Sequence, residues 1–209
     1  MRFLSPARSA RAVAAVCALV PAALAAQLPV STGANAASGP DSRWEVATNG
    51  GPFAAAQIVA SPSFEWAPNT AAYRWISSLA TASTGGATTF AFRLAFDLTG
   101  YDPATASLTF RYAVDNDDLG VRLNGGAATL GAGTNYQFGG VQTLTTGFVA
   151  GLNTLTFNLT GDGTTDGLVV DVQSFTAAPT SVVPEPGTVA LTGVGLALAG
   201  VVARRRRQA

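Results

Sequence analysis

The sequence predicts an all-β fold: a two-sheet β-sandwich of jelly-roll type, flanked by an N-terminal signal peptide and a single C-terminal transmembrane helix. Three observations support this prediction. Apolar and polar residues alternate through the middle of the chain, Gly is abundant with 23 residues, and only 11% of residues are charged. Alternation with period two indicates strands that bury one face, and the central region shows no helical periodicity.

The alternation defines the strands one after another. The strongest strand places one apolar face at Phe90, Phe92, Leu94, Phe96 and Leu98. The next repeats the pattern at Leu108, Phe110, Tyr112 and Val114. A third runs through Leu119, Val121 and Leu123 into Asn124-Gly125, a dipeptide typical of tight hairpin turns. With later segments around 155–159 and 168–175, about eight strands are expected in a domain over residues 40–176, which favours a sandwich over an up-and-down barrel.

The composition excludes several kinds of chemistry. The chain has no His, no Lys and a single Cys, Cys17. Nucleophile systems that need His, imidazole-ligated zinc sites and lysine Schiff bases therefore cannot form. Residues 27–184 carry five arginines against eleven carboxylates, a net charge of −6. An acidic domain without a basic patch is a poor nucleic-acid binder, so we expect no nucleic-acid partner.

Residues 1–26 have the pattern of a signal peptide. A basic start with Arg2, Arg8 and Arg11 precedes an apolar run, and Ala23-Leu24-Ala25 forms a small-x-small cleavage pattern. A second such pattern, Ala34-Asn35-Ala36, leaves two cut sites open, one near residue 26 and one near residue 36. Residues 27–39 are small and polar and are predicted to be a linker. Either cut removes Cys17.

The C-terminus has three parts in a fixed order. A linker over residues 177–186 ends in Pro184, Glu185 and Pro186, an apolar run follows at 187–203, and a basic tail covers 204–209. Seventeen apolar residues span about 26 Å as a helix, enough for a bilayer core. Arginines after the run predict a cytoplasmic tail and place the preceding domain outside. These arginines are Arg204, Arg205, Arg206 and Arg207.

The order Pro-Glu-Pro, short helix and Arg cluster resembles the PEP-CTERM sorting signal. The resemblance implies export through the Sec machinery and recognition by an exosortase, a membrane-embedded processing enzyme of Gram-negative bacteria that also make exopolysaccharide. The helix would then anchor the chain transiently in the inner membrane before the protein reaches the cell surface or the extracellular space. A permanent C-terminal anchor is the alternative interpretation.

The central domain resembles the galactose-binding-type jelly roll. The resemblance covers residues 44–175 and is carried by the segments 113–117, 121–125 and 151–157, which read Ala-Val-Asp-Asn-Asp, Val-Arg-Leu-Asn-Gly and Gly-Leu-Asn-Thr-Leu-Thr-Phe. It implies a fold that often serves as a carbohydrate-binding module, although a fold alone does not define a function.

Two groups of residues are candidate ligand sites. Asp115, Asp117 and Asp118 concentrate carboxylates at a strand end and could hold Ca²⁺, although we favour ordinary turn formation as the explanation. Otherwise we predict no cofactor. Trp44, Trp66 and Trp75 could stack against sugar rings, or could fill the core, which we expect for two of the three.

These observations lead to one main hypothesis and two alternatives. We expect a non-catalytic, exosortase-sorted surface or matrix protein that binds or organises extracellular polysaccharide. The first alternative is a structural matrix protein without specific sugar binding. The second is a small glycosidase that uses paired carboxylates, for which Glu45 and Glu65 beside two Trp residues are candidates.

Overall fold

The computed structural model describes residues 28–128, 130, 133–180, 194–196 and 204–206. The predicted signal peptide, the Pro-Glu-Pro segment and most of the predicted helix over 187–203 lie outside these residues. Two short helical stretches are described at 194–196 and 204–206. Within the described parts of the chain, no helix combines the length and apolar composition that a membrane crossing requires.

The regular secondary structure of the described chain is almost entirely β-strand, which confirms the all-β prediction. The strands are β1 (Gly39–Thr48), β2 (Ala54–Ile58), β3 (Ile76–Ser77), β4 (Thr88–Asp97), β5 (Ser107–Asp115), β6 (Asp117–Leu123), β7 (Gly126–Ala127), β8 (Thr134–Asn135), β9 (Gln142–Leu144), β10 (Leu152–Gly161) and β11 (Gly167–Thr176). One turn of 3₁₀ helix, Pro103–Thr105, precedes β5. The first strand begins and the last strand ends within one residue of the predicted bounds 40–176.

The strands form one continuous sheet rather than two separate ones. Its order is β7-β6-β10-β4-β1-β2-β3-β11-β5-β8, and β9 also pairs with β5. The sheet curls so that β6, β10, β4 and β1 face β11 and β5 across a shared core. The two-residue strand β3 joins the halves by pairing with both β2 and β11. The predicted two-sheet sandwich is therefore corrected to one curled sheet. The sequence does not reveal β3, because a strand of two residues is too short to show alternation.

The inner core follows the predicted alternation in β4. Phe90, Phe92, Leu94 and Phe96 are buried. The two halves meet through rings from opposite strands: Phe110 of β5 packs edge-on against Phe157 of β10, with centroids 5.8 Å apart. Burying apolar surface from both halves at once is what holds the curled sheet closed.

Strand β6 departs from the prediction. Val121 and Leu123 are buried, but Leu119 is 58% exposed. The pairing of β6 with β10 shifts register between Asn158 and Leu159, and Gly120 has a φ of +102°. A bulge of this kind reverses the side-chain alternation on one side of it, so Leu119 points away from the core.

The chain before β1 is part of the folded domain, which corrects the predicted linker at 27–39. Ser31 and Thr32 are buried. Thr32 exchanges hydrogen bonds with Val170 of β11, and its carbonyl accepts from the Arg74 N–H at 2.8 Å. Small and polar residues are typical of a linker, but the polar groups of this segment form hydrogen bonds to the sheet.

The chain after β11 also stays attached, which shortens the predicted linker at 177–186. Asp102 N–H donates to the Ala178 carbonyl at 2.8 Å, and Thr180 N–H donates to the Gly100 carbonyl at 2.8 Å. Residues 177–180 therefore lie along the turn between β4 and β5, and this part of the predicted linker belongs to the folded domain.

The Asn-Gly turn and the later Gly-x-Asn-x-Leu segment meet in space. Asn124 and Gly125 both have positive φ, 52° and 81°, as a tight hairpin turn requires. The Asn124 side chain donates to Asn153 Oδ1 at 2.9 Å and accepts from the Thr154 N–H at 2.9 Å. Asn153 is fully buried and also bonds the backbone of Val149. One amide pair thus locks β6 to the start of β10.

Candidate functional site

All three tryptophans are buried, which was expected for two of them, and none of them provides the sugar-stacking surface considered as the alternative. Trp44 lies in the inner core and its Nε1 donates to the Val30 carbonyl at 3.1 Å. Trp66 and Trp75 stack on each other with ring centroids 4.0 Å apart and cover the outer face of β5 and β11. A sugar ring needs an accessible aromatic face, and these faces are already occupied by protein.

The outer tryptophans have a structural role. Trp75 Nε1 donates to the Ala67 carbonyl at 2.8 Å, and Trp66 Nε1 donates to Asp115 Oδ2 at 2.8 Å. With Val59 and Ala82 they pack on strand residues of β5 and β11. The chain around β3 is thereby fastened as a second layer, which fixes the position of the Asp115 carboxylate.

The three carboxylates predicted to hold Ca²⁺ do not converge. Asp118 Oδ2 accepts from the Tyr112 hydroxyl at 2.7 Å and from the Gly133 N–H at 2.7 Å. Asp117 is exposed and its carboxylate accepts from Thr160 at 3.4 Å. Across the described residues, no group of three or more acidic or sulfur ligands is placed to hold a metal ion. The calcium site predicted at Asp115, Asp117 and Asp118 is therefore corrected to three separate structural contacts.

Asp115 is the unusual carboxylate of this group. It is 1% exposed, and among the described residues its Oδ1 has no hydrogen-bond partner, whereas Oδ2 accepts from Trp66 and from the Thr165 hydroxyl. Burial raises the pKa of the Asp115 carboxyl to about 6. The two hydrogen bonds act in the opposite direction, and the nearby carboxylates of Asp166 and Asp162 raise the pKa further.

The loop between β10 and β11 supplies two of the neighbouring carboxylates. Asp166 is fully buried and accepts from the Thr84 hydroxyl at 2.8 Å, which ties the loop to the chain before β4. Asp162 is exposed and accepts from both the backbone and the hydroxyl of Thr164. These hydrogen bonds lower the pKa of Asp162. The loop between β10 and β11 is thus held in place by its own carboxylates.

An aromatic and acidic surface forms at this end of the sheet. Phe64 is 95% exposed, and the neighbouring Glu65 is exposed as well. The pKa of Tyr136 is raised, chiefly by the negative charge of Asp115 and further by those of Glu65 and Asp162, so these groups lie within electrostatic reach of its hydroxyl. We call this surface the acidic end; its residues are Phe64, Glu65, Asn116, Tyr136 and Asp162, whereas Asp115 and Asp166 are buried and are not part of the surface.

Hydrogen bonds to backbone groups hold the acidic end together. Ala67 N–H donates to the Tyr136 carbonyl at 2.6 Å, and the Gln137 side chain donates to the Glu65 carbonyl at 2.5 Å. Asn116 Oδ1 accepts from the Asp162 N–H at 2.9 Å. Sequence reasoning missed Phe64 and Tyr136, because neither lies in an alternating strand and nothing in their neighbours marks them as exposed.

Glu45 and Glu65, the two candidate glycosidase carboxylates, have different surroundings. Glu45 lies on the outer face of β1 and pairs with Arg93 of β4 at 2.6 Å. The Arg93 guanidinium in turn lies 3.7 Å from the centre of the Phe53 ring. Glu65 belongs to the acidic end. Glu45 is therefore committed to an ion pair within the sheet.

Two clefts lie where β6 and β7 approach the β5 half. One of about 240 Å³ is lined by residues that include Leu123, Thr143, Thr145 and Thr146. The other, about 270 Å³, is bounded by Tyr112 and Asp118. Both are shallow openings along the edge of the curled sheet, and Tyr112 and Asp118 are hydrogen-bonded to each other there.

Comparison with known proteins defines the class of the C-terminal segment. Residues 182–207 match the family described as the PEP-CTERM protein-sorting motif, which confirms that resemblance. The match contains Pro184, Glu185, Pro186 and the four arginines. The match supports the conclusion that the protein is exported and that an exosortase processes it and sorts it to the cell surface. The match does not extend to the β domain, and no curated protein matches this chain.

Proposed function

We propose that this chain is a non-catalytic surface or matrix protein that binds extracellular polysaccharide through its acidic end after exosortase sorting. It is exported by the Sec machinery and held transiently at the inner membrane by residues 187–203. The sorting motif at 182–207 supports delivery to the cell surface. The exposed Phe64 beside polar groups is the observation that carries the proposed binding role.

The chemistry of the acidic end suits a hydroxyl-rich ligand. A Phe ring that is 95% exposed offers a flat apolar face to the carbon side of a sugar ring. The carboxylates of Glu65 and Asp162 and the Tyr136 hydroxyl, which belong to the same acidic end, would supply hydrogen-bond acceptors and a donor. All three belong to segments fixed by backbone hydrogen bonds, so little ordering is needed when a ligand binds.

The proposal includes the galactose-binding-type jelly roll as the interpretation of the fold, with its two layers joined into one curled sheet through β3. The hydrogen bond between Asn124 and Asn153 joins two of the segments on which that resemblance rests. A domain of this type carrying a sugar site on its end loops is consistent with a surface protein of a polysaccharide-producing cell.

The non-catalytic assignment is supported by the burial of Asp115. A carboxyl with a pKa near 6 would suit a general acid, but a general acid must reach the proton it transfers. Asp115 is 1% exposed and its Oδ2 is occupied by Trp66 and Thr165. Its raised pKa therefore follows from burial in a structural position.

Binding of the purified protein to a glycan array and to the exopolysaccharide of its producing strain tests this proposal. Phe64→Ala should weaken binding by about tenfold or more, the effect of removing an aromatic anchor. Leu152→Ala is the matched control, because Leu152 is also an exposed apolar residue but lies at the other end of β10.

Three other outcomes would redirect the assignment. Binding that persists in Phe64→Ala would remove the acidic end as the site. No glycan binding by the unmodified protein would favour the structural matrix protein. Release of reducing sugar from the polysaccharide, lost on Glu65→Gln, would establish the glycosidase.

A further inference from the structure

The structure discriminates between the two small-x-small patterns near the N-terminus. We infer that the leader is removed by hydrolysis of the peptide bond between Ala25 and Ala26, and not of the bond after Ala36. Water adds across that bond to give a carboxylate on Ala25 and a free amine on Ala26. The inference rests on the proposed export of the chain, and it follows from how residues 28–36 pack.

Thr32 ties the segment to two parts of the sheet. Its N–H donates to the Val170 carbonyl at 3.1 Å, and its hydroxyl accepts from the Val170 N–H at 3.0 Å. The same hydroxyl donates to the Arg74 carbonyl at 2.7 Å, and the Arg74 N–H donates to the Thr32 carbonyl at 2.8 Å. Thr32 is fully buried, so water cannot replace these bonds without opening the domain.

The residues on the N-terminal side of Thr32 are engaged as well. The Ser31 hydroxyl accepts from the Val172 N–H at 3.0 Å. The Val30 carbonyl accepts from the indole of Trp44, a fully buried core residue. The contacts thus continue without a break from residue 30 into the inner core.

Gly33 shows how closely this segment fits. Its N–H donates to Asp41 Oδ2 at 2.7 Å, and its carbonyl accepts from the Arg74 guanidinium at 2.8 Å. A Cβ on Gly33 would lie 2.6 Å from the Arg74 Cβ, and the residue has a φ of +61°. A glycine in this conformation against a side chain is typical of a packed segment of the fold rather than of a leader remnant.

A cut after Ala36 would remove all of these partners. The Trp44 indole N–H, the Val170 N–H and one oxygen of the buried Asp41 would lose their hydrogen bonds inside the domain. Buried polar groups without partners are strongly destabilising. The exported protein can keep this fold only if processing leaves residues 28–36 attached, and the pattern at Ala23-Leu24-Ala25 does so.

The test is N-terminal sequencing of the exported protein, made from the full chain in the producing bacterium. The expected first residue is Ala26. Ala25→Tyr places a large residue where a small one is required, so it should leave a precursor that retains Cys17 and reacts with a maleimide after denaturation. Leu24→Tyr is the matched control, because the middle position of the pattern is unrestricted, and it should be processed normally.

The remaining outcomes separate this inference from the proposed function. A protein that starts at Ala37, in both the unmodified chain and Ala25→Tyr, would overturn the cut site and leave export intact. An unmodified protein that keeps Met1 in every fraction would overturn the inference and the proposed export together.

Discussion

At the scale of single residues, hydroxyl and carboxyl groups from distant parts of the chain hold the surface layers on the sheet. Asp115 ends a regular strand, where an Asp side chain commonly bonds the backbone of the adjacent turn. Its partners are instead the Trp66 indole and the Thr165 hydroxyl. Such pairings join residues about fifty positions apart, and no local pattern in the sequence encodes them.

Thr32 provides the first prediction. Thr32→Ala leaves the buried Val170 N–H without the hydroxyl that accepts from it, and should lower the free energy of unfolding by about 1–3 kcal/mol. Asn35→Ala, in the same segment but exposed, should change it by less than about 0.5 kcal/mol. Urea unfolding of both variants measures the difference, and equal effects would mean that the segment is not docked as described.

Asp115 predicts a pH dependence of stability. The pKa of its carboxyl is raised to about 6 in the folded protein, above its ordinary value of 3.8. The folded state therefore binds the proton more tightly than the unfolded chain, and the resulting stabilisation is complete below about pH 4 and lost as the pH rises through 6. This group should contribute about 1–3 kcal/mol more stability at pH 4 than at pH 7.

Asp115→Asn isolates that contribution. The difference between its unfolding free energy and that of the unmodified protein should change with pH between 4 and 7. Denaturant unfolding at several pH values gives both curves. Parallel curves for the unmodified protein and Asp115→Asn would contradict the assigned pKa.

At the scale of strands, the sequence predicts the long alternating elements well and the short ones poorly. The buried faces of β4 and β5 are predictable from the sequence, because strands of ten and nine residues are long enough to show the alternation of apolar and polar side chains. The two-residue strand β3 cannot be recognised, although it determines that the sheet is continuous. Leu119 is exposed rather than on the predicted buried face, because a bulge reverses the alternation. Alternation alone does not show where a bulge occurs.

Strand β4 supplies the third prediction. Phe92 is fully buried, so Phe92→Ala should cost about 3–5 kcal/mol through lost burial and an unfilled cavity. Arg93→Ala removes a half-exposed ion pair with Glu45 and a contact with the Phe53 ring, and should cost less than about 1 kcal/mol. Thermal unfolding of the two variants tests the register, and similar losses in both would show that it is wrong.

At the scale of the whole molecule, the two ends of the domain lie close to the predicted processing segments. Ordered contacts begin by residue 30 and continue to Thr180. Residues 181–186 lie between the described domain and the predicted helix at 187, and six extended residues reach at most about 20 Å. Insertion of that helix, as proposed, would therefore hold the folded domain next to the membrane surface. The sequence alone predicts a longer connection between the domain and the helix, because the composition of residues 177–180 is typical of a linker.

The central claim is that an exosortase reads the Pro-Glu-Pro segment and removes the C-terminal tail. The motif match covers residues 182–207, so Glu185 lies inside it and Ser181 lies just outside. Glu185 also lies outside the apolar run, between two prolines that favour extended backbone, so its replacement should leave membrane insertion intact. Glu185→Ala and Ser181→Ala are therefore a matched pair.

Fractionation of the producing bacterium followed by intact-mass measurement tests this claim most directly. The unmodified protein and Ser181→Ala should both appear as products that lack the apolar run and Arg204–Arg207. Glu185→Ala should accumulate in the membrane fraction with its C-terminus at Ala209. A product ending at Ala209 in all three strains would contradict the account and leave a protein that stays anchored by its C-terminal segment.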